Sequence, residues 1–279
     1  MNYRHGFHAG NFADLAKHAA LLAWLKALRD GPPVLVVDTH AGAGMYDLSD
    51  PDFARSKEAE AGIKYLLGSD VPDSLMPLAA YVRAKNARAG FNDRIGLYPG
   101  SPIIAVDHLR GEDGYVGCEL RPDDFALLAK RIEPRGQAVH EDGYGVAAEA
   151  ADDPRGLFYL IDPPFEAPDD YVRITATLGK VLAGRPEAGA LVWLPLKDLE
   201  TFDAWLRGME WMMDGLAVRP ELAAEELRLR PLWNPMKMNG CVLAAVNPPA
   251  EFAAQLHAIA RDVVAVFGDN GAVARCRTF

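Results

Sequence analysis

The chain has 279 residues, 50% of them hydrophobic and 24% charged, with a net charge of −10. That suits a globular protein with one large domain carrying an insertion, or two modest domains, and it excludes a protein coated in nucleic acid, though not one that grips nucleic acid locally. No apolar run reaches membrane-spanning length, MNYRHGFHAG holds no signal-peptide core, and Cys118, Cys241 and Cys276 are few and far apart. Reduced thiols in a cytoplasmic, non-membrane protein are therefore expected, with neither a disulfide frame nor a zinc site.

Residues 12–29 carry apolar positions at helical spacing (Leu15, Leu21, Leu22, Leu25, Leu28) and stop at Asp30-Gly31-Pro32-Pro33. VLVVD (34–38) is a continuous buried strand of the kind parallel sheets use. Residues 47–93 predict helices broken between Gly68 and Pro72, and YPGSP (98–102) leads into a helix reaching Arg110. Strands are expected at 115–120, 138–143, 157–162 and 190–196, with helices at 123–132 and 169–183 between them. ELRLRPLW and GCVLAAVN read as a closing antiparallel pair. Strands alternating with helices mean an α/β fold with a doubly wound, mostly parallel sheet.

Chemistry concentrates at strand ends. LFYLID runs into Pro163-Pro164-Phe165, and two prolines cannot donate to a ladder, so the strand ends there. Its tip then offers a carboxylate, prolyl carbonyls and a ring, which suits a flat heterocycle with an exocyclic amino group. Phe165 would stack on its face while Asp162 and the Pro163 carbonyl accept from the NH2. The plain alternative is a turn closing a core strand, with Asp162 as the next helix cap. VVDTHAGAG places Asp38 at the first strand tip before Gly42 and Gly44, a loop too short for the dinucleotide fingerprint but suited to a nucleoside-like ligand. Glu119 ends the next strand, where a carboxylate can accept from both ribose hydroxyls. Asp142-Gly143 ends the following one, with Asp142 a candidate acceptor from an adenine amino group. Four of the seven histidines (His5, His8, His18, His40) fall in the first forty positions, near Arg4, Lys17 and Lys26. A His5-x-x-His8 metal site lacks a third ligand, so no metal is expected.

This ordered layout resembles S-adenosylmethionine amino-methyltransferases of the Rossmann-like class I type. NYRHGFHAGNFADLAKH (2–18), DTHAGAG, YPGSP and LIDPPF together resemble, nearly end to end, the RlmJ family of bacterial 23S ribosomal RNA adenine-N6 methyltransferases. The resemblance implies a single methyltransferase domain over 1–279, a helical subdomain inserted at 47–93 and an N-terminal RNA-contacting cap at 1–11. It implies Asp162, with Pro163 and Phe165, as the catalytic set. Lys17, His18, His40, Gly42, Ser101, Glu119, Asp142, Gly143 and Asp162 would line the S-adenosylmethionine pocket, which would release S-adenosylhomocysteine. Tyr3, His5 and Phe165 would meet 23S rRNA, free or in early assembly, on a monomeric enzyme. The chain departs from the family pattern in two places: Phe165 stands where members usually carry Tyr, and Asn11-Phe12 replaces a more polar pair. The insertion has two readings, an RNA-contacting or pocket-walling element or simple packing. DNA adenine-N6 methylation and a catalytically silent nucleoside-binding RNA chaperone are the competing functions.

Overall fold

Asn11 starts the first long helix: its backbone is extended and its Oδ1 accepts the Asp14 N–H at 2.9 Å, satisfying an otherwise orphaned amide. Helix α1 (Phe12–Ala27) is buried at every residue from Leu15 to Leu22, so it is wrapped on all sides rather than amphipathic. The protein is described here by a computed structural model covering residues 5–231, 233–234 and 238–278.

The strands are β1 (Val34–Asp38), β2 (Met45–Asp47), β3 (Leu97–Pro99), β4 (Gly114–Cys118), β5 (Gln137–Val139), β6 (Gly156–Ile161), β7 (Gly189–Pro195), β8 (Leu222–Arg228), β9 (Gly240–Val246) and β10 (Val273–Thr278). Eight of them form one sheet in the order β10-β8-β9-β7-β6-β1-β4-β5, parallel from β5 to β7 and antiparallel from β7 through β9 and β8 to β10. The mixed α/β, largely parallel architecture is the expected one. The chain lays β4 and β5 on one side of β1, then crosses back to lay β6 and β7 on the other. The switch point, where open α/β sheets bind ligands, therefore lies between the carboxyl tips of β1 and β6.

The antiparallel part is larger than the expected closing pair. β8 begins at Leu222, ahead of ELRLRPLW, and β10 adds an edge strand. Between β1 and β4 the chain leaves the sheet through an antiparallel ribbon in which Met45 pairs with Pro99 and Asp47 with Leu97. The excursion thus spans 45–99 and includes short α2 (Pro51–Ala54), a π-helical turn (Glu60–Lys64) running into α3 (Tyr65–Gly68), and α4 (Met76–Arg88). Ile63, Leu66, Leu75, Leu78 and Val82 share one apolar cluster with α1 and with α10 (Phe252–Phe267). The remaining helices are α5 (Ser101–His108), α6 (Pro122–Ile132), α7 (Gly143–Glu149), α8 (Asp170–Gly184) and α9 (Leu199–Asp214). No described helix is long and apolar enough to cross a membrane.

The N-terminal segment is strapped to the excursion. The Ile63 N–H donates to the Gly10 carbonyl at 2.8 Å, and a Cβ on Gly62 would meet that oxygen at 2.0 Å, so only glycine allows the contact. Glu58 ties the same pieces together through His8 Nδ1 and Asn11 Nδ2, both at 2.8 Å. Asn11 is thus a cap and a tether, and Phe12 packs against the main cluster.

Candidate active site

β6 delivers Asp162 to the carboxyl edge, and Pro163-Pro164 stop the ladder immediately beyond it. The Asp162 carboxylate is largely buried and accepts from Lys17 Nζ, which also pairs with Asp14 at 2.9 Å. Asp14 Oδ2 in turn accepts the Gly10 N–H at 3.0 Å. One buried ammonium therefore serves two carboxylates. Burial drives the Asp162 carboxyl above its ordinary range, and the Lys17 charge and hydrogen bond pull it only part of the way back. Burial acts on Asp14 too, but Lys17, His18 and the Gly10 amide outweigh it and hold that group at about 2. Lys17 resists its own desolvation because Asp14 and Asp162 flank it, and its affinity for a proton rises well above normal.

The neighbouring strand tip is equally rich. Asp38 accepts from the Ser101 hydroxyl at 2.6 Å and the Tyr115 hydroxyl at 3.1 Å; burial nonetheless raises its carboxyl to about 6. Thr39 N–H donates to Leu160 O on β6, and Ala41 N–H donates to Cys118 O on β4, so the loop after β1 lies across three strand tips. Gly42 and Gly44 sit in left-handed backbone at φ 62° and 81°, which explains glycine at both. His40 Nδ1 bonds the Thr39 hydroxyl at 2.8 Å, and its ring meets Tyr144 edge-on at 5.1 Å. His18, buried in α1, bonds the Tyr98 hydroxyl at 2.7 Å.

Glu119, just past β4, is buried and accepts from the Arg121 and Gly42 amides; burial raises its carboxyl despite both bonds. Asp142 lies beyond β5. Its Oδ1 caps α7 by accepting the Tyr144 N–H at 3.1 Å, and its Oδ2 pairs with Arg173, whose guanidinium lies 4.2 Å from the Tyr144 ring centre. Asp142 therefore caps α7 and pairs with Arg173. A Cβ on Gly143 would stand 2.0 Å from Thr39 O, so the start of α7 is pressed against the tip of β1.

Phe165 has left-handed backbone at φ 50°, a conformation that non-glycine residues adopt at a cost and that clusters at ligand sites. Its ring sits 4.8 Å from Tyr171 and 5.9 Å from Trp193. The contacts join Lys17 to Asp162, Ser101 to Asp38, Glu119 to Gly42 and Gly143 to Thr39. His5 lies in a short 3-10 turn (His5–Phe7), and Tyr3 falls outside the described residues. Sequence reasoning missed Asp14, Tyr98, Tyr115, Tyr171 and Trp193. The Asp14–Lys17 spacing of three residues, one helical turn, was the one local signal for any of them. Among the described residues no group of three His, Cys, Asp or Glu side chains assembles as a metal site.

A family model described as RsmJ, "Ribosomal RNA large subunit methyltransferase D, RlmJ", matches residues 31–275. The chain is 31% identical to the "Ribosomal RNA large subunit methyltransferase J" of Escherichia coli (strain K12), over 92% of this chain and 90% of that one. The Haemophilus influenzae protein of the same name is 29% identical over 93% of this chain and 91% of its own length. A crystal structure of a Legionella pneumophila protein, 26% identical, superposes with a TM-score of 0.85 and covers 97% of this chain and 98% of that one.

Proposed function

The chain belongs to the RlmJ family of ribosomal RNA large subunit methyltransferases, and from that premise we propose how it acts: Asp162, Pro163 and Phe165 hold a flipped-out adenine of 23S rRNA, and its N6 amino group accepts a methyl group from S-adenosylmethionine. The observation that carries this reading is Asp162 itself. It is a largely buried carboxylate at the sheet's switch point, compensated among the described residues by a lysine that it shares with Asp14.

The residues around it fit the cofactor. Lys17 is a buried cation for the amino-acid carboxylate, and Glu119 keeps acceptor capacity for ribose hydroxyls because a carboxylate has about four acceptor sites and two amides occupy only part of them. Gly42, Gly44 and Gly143 leave bare backbone along the loop where a ligand must approach closely. His18, His40, Ser101 and Asp142 complete the wall, with Asp142 acting through the capped end of α7. When bound, S-adenosylmethionine supplies an activated sulfonium methyl and leaves as S-adenosylhomocysteine.

The protein's work is positioning and electrostatics. The adenine N6 lone pair is delocalised into the ring, so the free amino group is a poor nucleophile. Hydrogen bonds from both amino protons to Asp162 and the Pro163 carbonyl favour a more tetrahedral nitrogen. They strengthen as positive charge develops on N6, which stabilises the transition state in preference to the ground state. The adenine must leave its stack to arrive there. Phe165, fixed by its backbone and by Tyr171 and Trp193, supplies the face on which it rests; a Tyr hydroxyl at this position is not required for stacking. Contact of Tyr3 and His5 with the RNA belongs to the same proposal, and the substrate is free or early-assembly rRNA.

Mass mapping of N6-methyladenine in rRNA from cells lacking the protein tests the reading: one 23S adenine should lose its methyl group. Transfer by the purified enzyme to protein-free 23S rRNA, assembled subunits and duplex DNA should be strongest on the first. Unchanged rRNA in the deletion strain, with transfer to duplex DNA alone, would overturn it in favour of a DNA enzyme.

A further inference from the structure

The excursion between β2 and β3 holds a feature the catalytic reading does not use. A cavity of about 610 Å³, within the range of small-ligand sites, is lined by Ser49, Lys64, Arg83, Phe91, Asn92 and Arg94 among others. Three of its lining residues are cationic and one, Asp93, is acidic, in a chain whose net charge is −10. Cations gathered on one wall of an acidic protein set up a local field that net charge conceals.

The wall is organised before any ligand arrives. The Arg94 guanidinium lies 5.1 Å from the centre of the Phe91 ring, and that ring is seated on Gly96, where a Cβ would meet it at 2.6 Å. Buried Asn86 donates to Val82 O and Leu97 O at 2.9 and 2.8 Å and accepts from the Gly96 and Leu97 amides at 2.8 and 2.9 Å. Its amide is thereby fully used in pinning the segment after Phe91 to α4. Among the described residues Arg83 donates to Leu67 O at 3.0 Å, and a guanidinium has about five donors, so it has donors to offer a ligand. Lys64 pairs with Glu60 at 3.0 Å, one helical turn away and part-exposed, a pairing that a phosphate can readily replace.

The ribbon sets the cavity's relation to the catalytic site. Gly44 and Gly100, joined by a 2.7 Å hydrogen bond, mark its catalytic end, next to Ser101 and Asp38. Asp47 and Leu97 mark the other end, adjoining the cavity residues Leu48 and Gly96. At about 3.3 Å per residue the ribbon spans roughly 10 Å. Resting on the reading of rRNA as the substrate, we propose that this cavity is a second RNA site, which grips an unpaired nucleotide outside the target adenine through phosphate contacts from Arg83, Arg94 and Lys64 and base stacking on Phe91. The chemistry selects a polyanion with planar bases: guanidinium forks match phosphates, and an aromatic ring in a basic groove takes any base.

The test uses the full-length enzyme and protein-free 23S rRNA. Equilibrium binding is measured across a salt series without cofactor, and methyl-transfer KM and kcat are measured separately. The Arg83→Ala/Arg94→Ala variant should bind the RNA at least fivefold more weakly, and the slope of log K against log salt should flatten by about 1.4 for two single-strand phosphate contacts. KM for RNA should rise while kcat stays within twofold. Arg83→Lys/Arg94→Lys should restore the slope, because a merely structural role for the arginines would not respond to charge alone. Phe91→Leu should weaken binding without changing the slope. Wild-type affinity and slope in the double alanine variant, or failure of the lysine pair to restore the slope, overturns the proposal. Loss of methyl transfer in the wild type with the slope difference intact would overturn the catalytic reading and leave this site standing.

Discussion

At the tip of β6 one lysine serves two carboxylates, whereas in β8 one carboxylate is gripped by two arginines. Glu226 is fully buried and accepts from Arg228 Nε at 2.6 Å and from Arg277 on the neighbouring edge strand. Its neighbour Glu225 is paired with His257 Nδ1 at 3.0 Å. Asp162 and Asp14 share Lys17, and Asp38 a strand away accepts from two hydroxyls and from the His40 N–H. Both regions hide charge from water, but in β8 the buried Glu226 meets two arginines, one of which also reaches Asp203, and the pairing fastens the antiparallel edge. The β1–β6 tips leave negative charge unmatched, and that is the condition in which a buried carboxylate holds a substrate's donors.

Substitutions on either side sharpen the contrast. Glu226→Ala removes the buried partner of two partly exposed arginines and is expected to cost about 2 kcal/mol in urea unfolding, while the folded fraction keeps its kcat. Unchanged unfolding would show that β8 does not depend on the pairing. Phe165→Ala removes the stacking face, worth about 1–3 kcal/mol, so kcat/KM for RNA should fall by roughly 5- to 150-fold. A loss confined to cofactor affinity would place the ring elsewhere in the cycle.

The smallest effect concerns pH. Asp162 works as the ionised acceptor, and its folded carboxyl lies above the usual value, so activity is present above that value and lost as pH falls through it. Lys17→Met leaves burial unopposed. The acid limb of kcat, measured at saturating cofactor, should therefore move to higher pH, and a limb that stays in place or moves to lower pH contradicts the shared-lysine account.

Much of this contrast could be read from sequence on one side only. The strands β1, β4 and β6 announce themselves as apolar runs ending in Asp38, Glu119 and Asp162, and the double proline marks a strand tip by chemistry alone. The charge balance was not legible. Lys17 and Asp162 lie 145 residues apart, and only the return crossover from β5 to β6 brings them together. At Asp142 neither the cap nor the ion pair with Arg173, one turn into α8, was legible in sequence. The ribbon β2–β3 has three residues per strand, too few for an alternating pattern to register, so the excursion's clasp at 45 and 99 was missed. α10 does carry a helical signal, with Phe252, Leu256, Ile259, Ala260 and Val263 spaced along one face, and it went unread together with β10.

The most direct measurement compares Asp162→Asn with the wild type in single-turnover methyl transfer to protein-free 23S rRNA, alongside calorimetric binding of S-adenosylmethionine and urea unfolding of both proteins. The account predicts that transfer falls by about a hundred- to a thousandfold, the scale of losing one preorganised charge contact to the transition state. Cofactor binding should survive, and stability should hold or rise once the under-compensated carboxylate is gone. Transfer near the wild-type rate, or a stability loss as large as that of Glu226→Ala, would contradict the claim that Asp162 is held in reserve for the adenine amino group.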